Sequence, residues 1–260
     1  MIIIRLLGGL GNQLFIYAIG RALEIDYNID VQYDIYSGFK NDQYKRKFVL
    51  GNFNTKLKKT SIYDSLYFPI RQRSKLITKV LYPSSIYFKE TENFSENHVI
   101  NANVKYKMVF LQGYFQKLEY FENMRKHLIK EITPLEEISM VANIYLDAII
   151  KNNSIAVHVR RKEINHTVSD NFYVENIEKL QNQIRDPKFY IFSDDINWCK
   201  ENFKIYSNLT FIENTANEIE DFWLMKNCSH FIIPNSTFSW WAAWLGDYQS
   251  KVVIKLDNKY

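Results

Sequence analysis

Residues 2–23 read IIIRLLGGLGNQLFIYAIGRAL, and this stretch decides the fold. Ile2 to Leu7 are almost wholly apolar, the composition of a parallel strand buried on both faces. Gly8, Gly9 and Gly11 then permit a tight turn, and Leu14, Phe15, Tyr17, Ala18, Ile19, Ala22 and Leu23 recur at helical spacing. Ile29 to Tyr33 reads as a second strand, so the chain opens on a βαβ unit whose glycine turn sits at the carboxyl end of the first strand. The second half alternates in the same way, with strands predicted at 154–159, 188–192, 209–212, 230–233 and 251–254. Helices are predicted between them at 171–184, 196–202, 219–227 and 236–245. Such alternation specifies an α/β fold with parallel sheets. The middle of the chain reads as short helices and loops over 36–105, a strand over 109–114, a helix over 121–130 and a helix from near Pro134 to Lys151. The pattern predicts two Rossmann-like domains facing a cleft, residues 1–135 and 136–260.

Composition narrows the classes of function. A chain of 260 residues suffices for one large domain or two modest ones. With 47% hydrophobic and 24% charged residues it is neither disordered nor fibrous, and 8 Gly and 5 Pro leave little for flexible linkers. Aromatics reach 16%, enough to fill cores and also to line pockets for sugar or base faces. The net charge of +4 comes from scattered cations, which suits anionic small ligands or loose contact with an anionic membrane surface better than dedicated nucleic-acid binding. Cys199 and Cys228 have neither metal-ligand spacing nor a disulfide framework, as expected in a reducing cytosol. The N-terminus lacks a secretory apolar region with a cleavage site, and no run of 18 apolar residues occurs. A cytoplasmic protein, with peripheral contact at the cytoplasmic face of the membrane, is the expectation.

Four segments could carry chemistry. At Gly8-Gly9-Leu10-Gly11-Asn12-Gln13, backbone amides can approach phosphate or sugar oxygens, and the helix start adds positive potential. A dinucleotide fingerprint would place a third glycine where Leu14 stands. Asn12 also suits a helix cap whatever the function. In Ala156-Val157-His158-Val159-Arg160-Arg161-Lys162-Glu163 a strand delivers its cations at a carboxyl end, where ligands bind in open parallel sheets. Alternation puts His158 and Arg160 on one face, and a guanidinium there can clamp a diphosphate. Asp194 and Asp195 follow another strand, either as an acidic pair or as a cap for the next helix. No Asp-x-Asp occurs in the chain, which speaks against a metal-dependent sugar transferase. Lastly, Pro234-Asn235-Ser236-Thr237 opens a helix with hydroxyls and free amides, while Trp240, Trp241 and Trp244 anchor it. The elbow of a serine hydrolase is missing around Ser236.

Together these segments resemble the bacterial α-1,2-fucosyltransferases, glycosyltransferase family 11. The matching pieces are GGLGNQLF (8–15), LQGYFQ (111–116), VHVRR (157–161), FYIFSDDINWCK (189–200) and FIIPNSTFSWWAAWL (231–245), in the family's order. Three features depart from the family's pattern: Glu163 stands where Asp is usual, Phe115 where Trp is common, and the C-terminal segment reads as shortened. The resemblance implies a GT-B fold, with the acceptor on the first domain and GDP-L-fucose chiefly on the second. It implies inverting, metal-independent transfer to the 2-hydroxyl of a galactoside during glycan synthesis, with no cofactor beyond the donor. By motif, Arg160 holds the β-phosphate, Asn235, Ser236 and Thr237 support it, and His158 and Asp221 are candidates for guanine or ribose. Asp194 and Gly11 complete the donor set. Asn12 faces the diphosphate or acceptor. Glu163 is the candidate base with His166 behind it, although an Arg161–Glu163 ion pair is an equally ordinary reading.

Other readings stay open: a different nucleotide-sugar transferase of GT-B type, a non-catalytic nucleotide-sugar or glycan-binding module, or a Rossmann oxidoreductase. The last is favoured by one feature, Asp34, about twenty residues beyond the glycine turn.

Overall fold

Every strand pairing among the described residues is parallel. The computed structural model describes residues 1–92, 94–161, 169–204 and 206–256, and the chain divides into two units between Ile132 and Thr133. The first unit contains β1 (Ile2–Arg5), α1 (Leu10–Tyr27), β2 (Val31–Asp34), α2 (Ile62–Ser65), α3 (Tyr67–Arg73), α4 (Lys75–Leu81), β3 (Ser85–Lys89), α5 (Glu96–Lys105), β4 (Met108–Gln112) and α6 (Arg125–Glu131). The second contains α7 (Met140–Lys151), β5 (Asn153–Val159), α8 (Asp170–Gln183), β6 (Pro187–Ser193), α9 (Ile196–Asn202), β7 (Leu209–Phe211), α10 (Glu218–Lys226), β8 (His230–Ile233), α11 (Thr237–Leu245) and β9 (Val253–Lys255).

In the first unit the sheet order is β2-β1-β4-β3. The central strands β1 and β4 are buried as their apolar runs require, and Tyr67 stacks on Phe110 with centroids 3.5 Å apart. Strand β3 is a half-buried edge strand, and its sequence SIYFK carries no fully apolar run. That is why the sequence pattern reads it as loop. Helix α1 fits against β2 because Gly20 has no side chain: a Cβ there would lie 2.1 Å from the Tyr33 hydroxyl. On the same helix, Arg21 and Tyr17 both donate to the buried Glu131 carboxylate of α6, which ties the end of the unit back onto α1.

The second unit has the order β7-β6-β5-β8-β9. One face of β5 sends Ile155, Val157 and Val159 into a core with Tyr173, Ile177 and Phe203. The opposite face carries His158, which packs on Phe238 of α11 at 5.8 Å between ring centroids. Trp241 is fully buried and anchors α11, and Trp240 stacks on Trp244 with an interplanar angle of 11°.

Helix α7 begins at Met140 rather than near Pro134. The Ser139 hydroxyl accepts from the Ala142 amide, and the Glu220 carboxylate accepts from both the amide and the hydroxyl of Ser139. A cap held by a contact 81 residues away fixes the start. Cys199 and Cys228 are free and buried, and burial pushes both thiols up, Cys199 to about 11. Among the described residues, no helix is long and apolar enough to cross a membrane.

Candidate active site

The order of the second sheet locates its ligand crevice. From β5 the chain proceeds outward through β6 and β7, whereas β8 lies on the other side of β5 and is followed outward by β9. Connections therefore diverge between β5 and β8, and open parallel sheets bind ligands outside the carboxyl ends at such a switch point. The VHVRR segment leaves β5 there, and Pro234-Asn235-Ser236-Thr237 leaves β8. Two motifs distant in sequence, 157–161 and 234–237, are thus brought to one place by the strand order.

Arg160 is the first residue past β5, with its side chain 35% exposed and its Nε 3.3 Å from Asp194 Oδ2. Asp194 follows β6, and its Oδ1 accepts from the Arg161 amide at 2.9 Å. One carboxylate therefore holds both arginines, Arg160 through its side chain and Arg161 through its backbone. The Arg161 guanidinium turns away and lies 3.8 Å from the Trp198 ring centroid on α9. Asp195, not Asp194, caps α9 by accepting from the Trp198 amide at 3.3 Å. The acidic pair therefore divides its work, one side chain to the arginines and one to the helix. His158 is buried, and its Nδ1 has no hydrogen-bond partner among the described residues. Burial, reinforced by Arg160 and opposed by Asp194, lowers its pKa to about 3, so the ring is neutral at physiological pH. A neutral imidazole carries one donor and one acceptor nitrogen, so the unpartnered Nδ1 can take either role toward a further polar group.

Asn235, Ser236 and Thr237 are half-buried at the start of α11. Ser236 occupies the cap position without its side chain bonding the helix, and the first turn carries no acidic residue. The first amides of α11 and the hydroxyls of Ser236 and Thr237 offer donors suited to an anion. Across from Arg160, the first turn of α10 supplies Glu218 and Asp221. Asp221 accepts from the Thr215 hydroxyl at 2.7 Å, and burial raises its pKa against that bond. Glu218, although its side chain reaches the surface, is also raised, by desolvation and then by Asp221, with Arg160 acting in the opposite sense. Glu220 is different: its burial is outweighed by bonds from Ala216 and Ser139, which hold it low and make it structural.

The glycine turn belongs to the first unit. Gly8 adopts φ +80°, and a Cβ there would meet Asn12 Nδ2 at 2.8 Å, so both conformation and space require glycine. Gly9 caps α1, which corrects the expectation that Asn12 does so. Asn12 sits in the first turn, and its Oδ1 accepts from Gln116 Nε2 at 3.0 Å, joining the start of α1 to the loop after β4. Gly11 is buried beside it. Gln13 is fully buried and bonds Gly8 O, Lys47 O and the Val49 amide at 2.9, 2.8 and 3.0 Å. It fastens the 45–49 segment over the turn, and a Cβ at Gly9 would lie 3.9 Å from Arg46 Nε. Asp34 is buried and accepts from the Tyr36 and Ser37 amides and the Ser37 hydroxyl, while Arg5 binds Ser37 beside it. That carboxylate is committed to its own turn, which removes the one feature favouring an oxidoreductase.

Sequence reasoning missed Trp198, Gln116, Glu218 and Arg46. Trp198 and Gln116 lie inside the matched segments and could have been flagged there; Glu218 and Arg46 have no local signal. The candidate base Glu163 and its alternative His166 lie outside the described residues. Among the described residues, no group of three His, Cys, Asp or Glu side chains is placed to hold a metal ion.

Two parallel-sheet units with polar loops at their carboxyl ends make up a fold of GT-B type. Solved structures with this fold include the fucosyltransferase NodZ from Bradyrhizobium, at TM-score 0.55 and 13% identity over 93% of this chain and 92% of that one. Another is POFUT1 in complex with GDP-fucose, at TM-score 0.57 and 11% identity over 98% and 97%. The chain belongs to glycosyl transferase family 11, whose model matches residues 1–259. Among curated relatives, an alpha-1,2-colitosyltransferase of Escherichia coli is 32% identical over 98% of this chain and 90% of its own. Galactoside alpha-(1,2)-fucosyltransferase 2 of Mus musculus is 25% identical over 80% of this chain and 65% of its own.

Proposed function

We propose that the protein transfers L-fucose from GDP-L-fucose to the 2-hydroxyl of a galactoside, inverting the anomeric carbon without an essential metal. The acceptor belongs to a glycan such as an O-antigen or capsule, and the protein works in the cytoplasm. The observation that carries this reading is Arg160, a half-exposed guanidinium at the carboxyl end of β5, next in the sheet to the strand that feeds α11. As the bond to the sugar breaks, the departing diphosphate gains charge, which in this reading Arg160 and the α11 amides neutralise. His158 and Asp221 contact the guanine or ribose of the nucleoside. In the first unit, Asn12 and the amide of Gly11 orient diphosphate or acceptor. A carboxylate, Glu163 in this reading, takes the proton from the acceptor hydroxyl. The names of relatives that carry α-1,2 linkages, and the GDP-fucose in a structural neighbour, support the same assignment.

A second reading has colitose as the transferred sugar, favoured by the 32% identity to the colitosyltransferase against 25% to the mouse fucosyltransferase. The two sugars differ by one hydroxyl, and a site that hydrogen-bonds that group rejects the analogue lacking it by orders of magnitude. GDP release from each donor, measured across a panel of galactosides with NMR of the product, decides between them. Turnover of neither donor, with turnover of a different nucleotide sugar, overturns the proposal.

A further inference from the structure

We propose that α4 docks the protein on an anionic lipid surface, whichever sugar it transfers. The helix reads KLITKVL, and only Thr78 is buried. Leu76, Ile77, Val80 and Leu81 are 74%, 53%, 72% and 57% exposed. At 3.6 residues per turn these four occupy one continuous arc of about 140°, with Lys75 and Lys79 along one border and Thr78 on the side that meets the protein. An amphipathic arrangement turned outward is the reverse of a core-facing helix, and single exposed apolar residues do not account for four on one arc.

Charge selects the occupant. Between Asp64 and Glu90 the sequence contains no acidic residue and five cations: Arg71, Arg73, Lys75, Lys79 and Lys89. Arg71 lies 4.3 Å from the Tyr87 ring centroid, while Arg73, Lys75 and Lys79 are exposed. Apolar side chains bordered by lysines match an acyl boundary beneath anionic headgroups, where the lysine stems run along the apolar surface and their amines reach phosphate. A second copy of the chain is the poorer fit, because a twofold contact would set this cationic segment against itself. The helix is far too short to span a bilayer, so it lies in the interface.

The test is sedimentation of the full chain with vesicles of phosphatidylcholine alone or mixed with phosphatidylglycerol. Binding should appear only with the anionic vesicles and weaken as salt rises. Lys75→Glu with Lys79→Glu, and separately Leu76→Gln with Val80→Gln, should each reduce partitioning about tenfold or more. Turnover of a soluble acceptor should be unchanged in both pairs, which separates this proposal from the assignment of the reaction. Three outcomes overturn it: no binding to anionic vesicles, equal binding by the variants, or a dimer in solution that the Leu76 and Val80 changes dissolve.

Discussion

Arg160 and Asp194 meet at the carboxyl ends of neighbouring strands, Nε to Oδ2 at 3.3 Å, while the same carboxylate accepts the Arg161 amide. A guanidinium fork and a diphosphate match in bidentate geometry. Arg160→Ala should therefore lower turnover by about a hundredfold or more, near ~3 kcal/mol by analogy with the loss of one oxyanion donor. Arg160→Lys should recover little, since a point charge does not reproduce the fork. Both variants should fold, because the side chain is outside the core. Folded variants with wild-type kinetics, checked by circular dichroism, would remove Arg160 from the site.

The alternation of apolar runs and helices made both parallel sheets readable, because buried central strands need continuous apolar sequence. Strand β3 and the start of α7 escaped for a common reason: each is set by a distant contact, an edge pairing to β4 and a Glu220 carboxylate on Ser139. Within the site, Arg160 and His158 were legible from one strand's alternation. The pairing of Arg160 with Asp194 was not, since it depends on which strand lies beside β5. Nor could sequence separate Asn12 from Gln13, two amides in one turn with different fates.

That difference is measurable. Gln13 makes three bonds in a fully buried position, so Gln13→Ala orphans two carbonyls and an amide. It should lower unfolding free energy by about 2–4 kcal/mol in urea titrations. Asn12→Ala loses one half-exposed bond to Gln116 and should cost about 1 kcal/mol or less, with its larger effect on turnover. Equal stability losses from the two would refute the division between fastener and site residue.

GDP should raise the melting temperature and NAD should not, because ligand binding to the native state alone stabilises it. Asp34, the carboxylate a nicotinamide dinucleotide would need for its ribose, is already engaged by Tyr36 and Ser37. Stabilisation by NAD without any by GDP would contradict both the donor assignment and the role given to that turn.

Turnover should persist in excess chelator. The sequence has no Asp-x-Asp, and the charge of the departing diphosphate falls to Arg160 and the α11 amides. Loss of activity in chelator, restored by magnesium or manganese, would show that a metal shares that task.

The last expectation concerns acid. His158 is buried neutral with a pKa lowered to about 3, against about 6.5 in an unfolded chain. Between those values the unfolded state binds a proton that the native state refuses, so stability is complete above about pH 6.5 and falls as pH drops toward 3. The slope is about 1.4 kcal/mol per pH unit, or roughly 2 kcal/mol lost by pH 5 from this residue. His158→Leu keeps similar volume and leaves no buried nitrogen without a partner, so its stability at pH 7 should stay within about 1.5 kcal/mol of wild type. Urea titrations at pH 7, 6 and 5 should then show the variant losing about 2 kcal/mol less than wild type over that span, with the other titrating groups cancelling in the difference. The same variant should bind GDP more weakly at pH 7, because the proposed function has His158 contact the nucleoside. Parallel pH slopes would mean the histidine takes up its proton in the native state. An unchanged GDP affinity would mean its nitrogen faces protein rather than ligand.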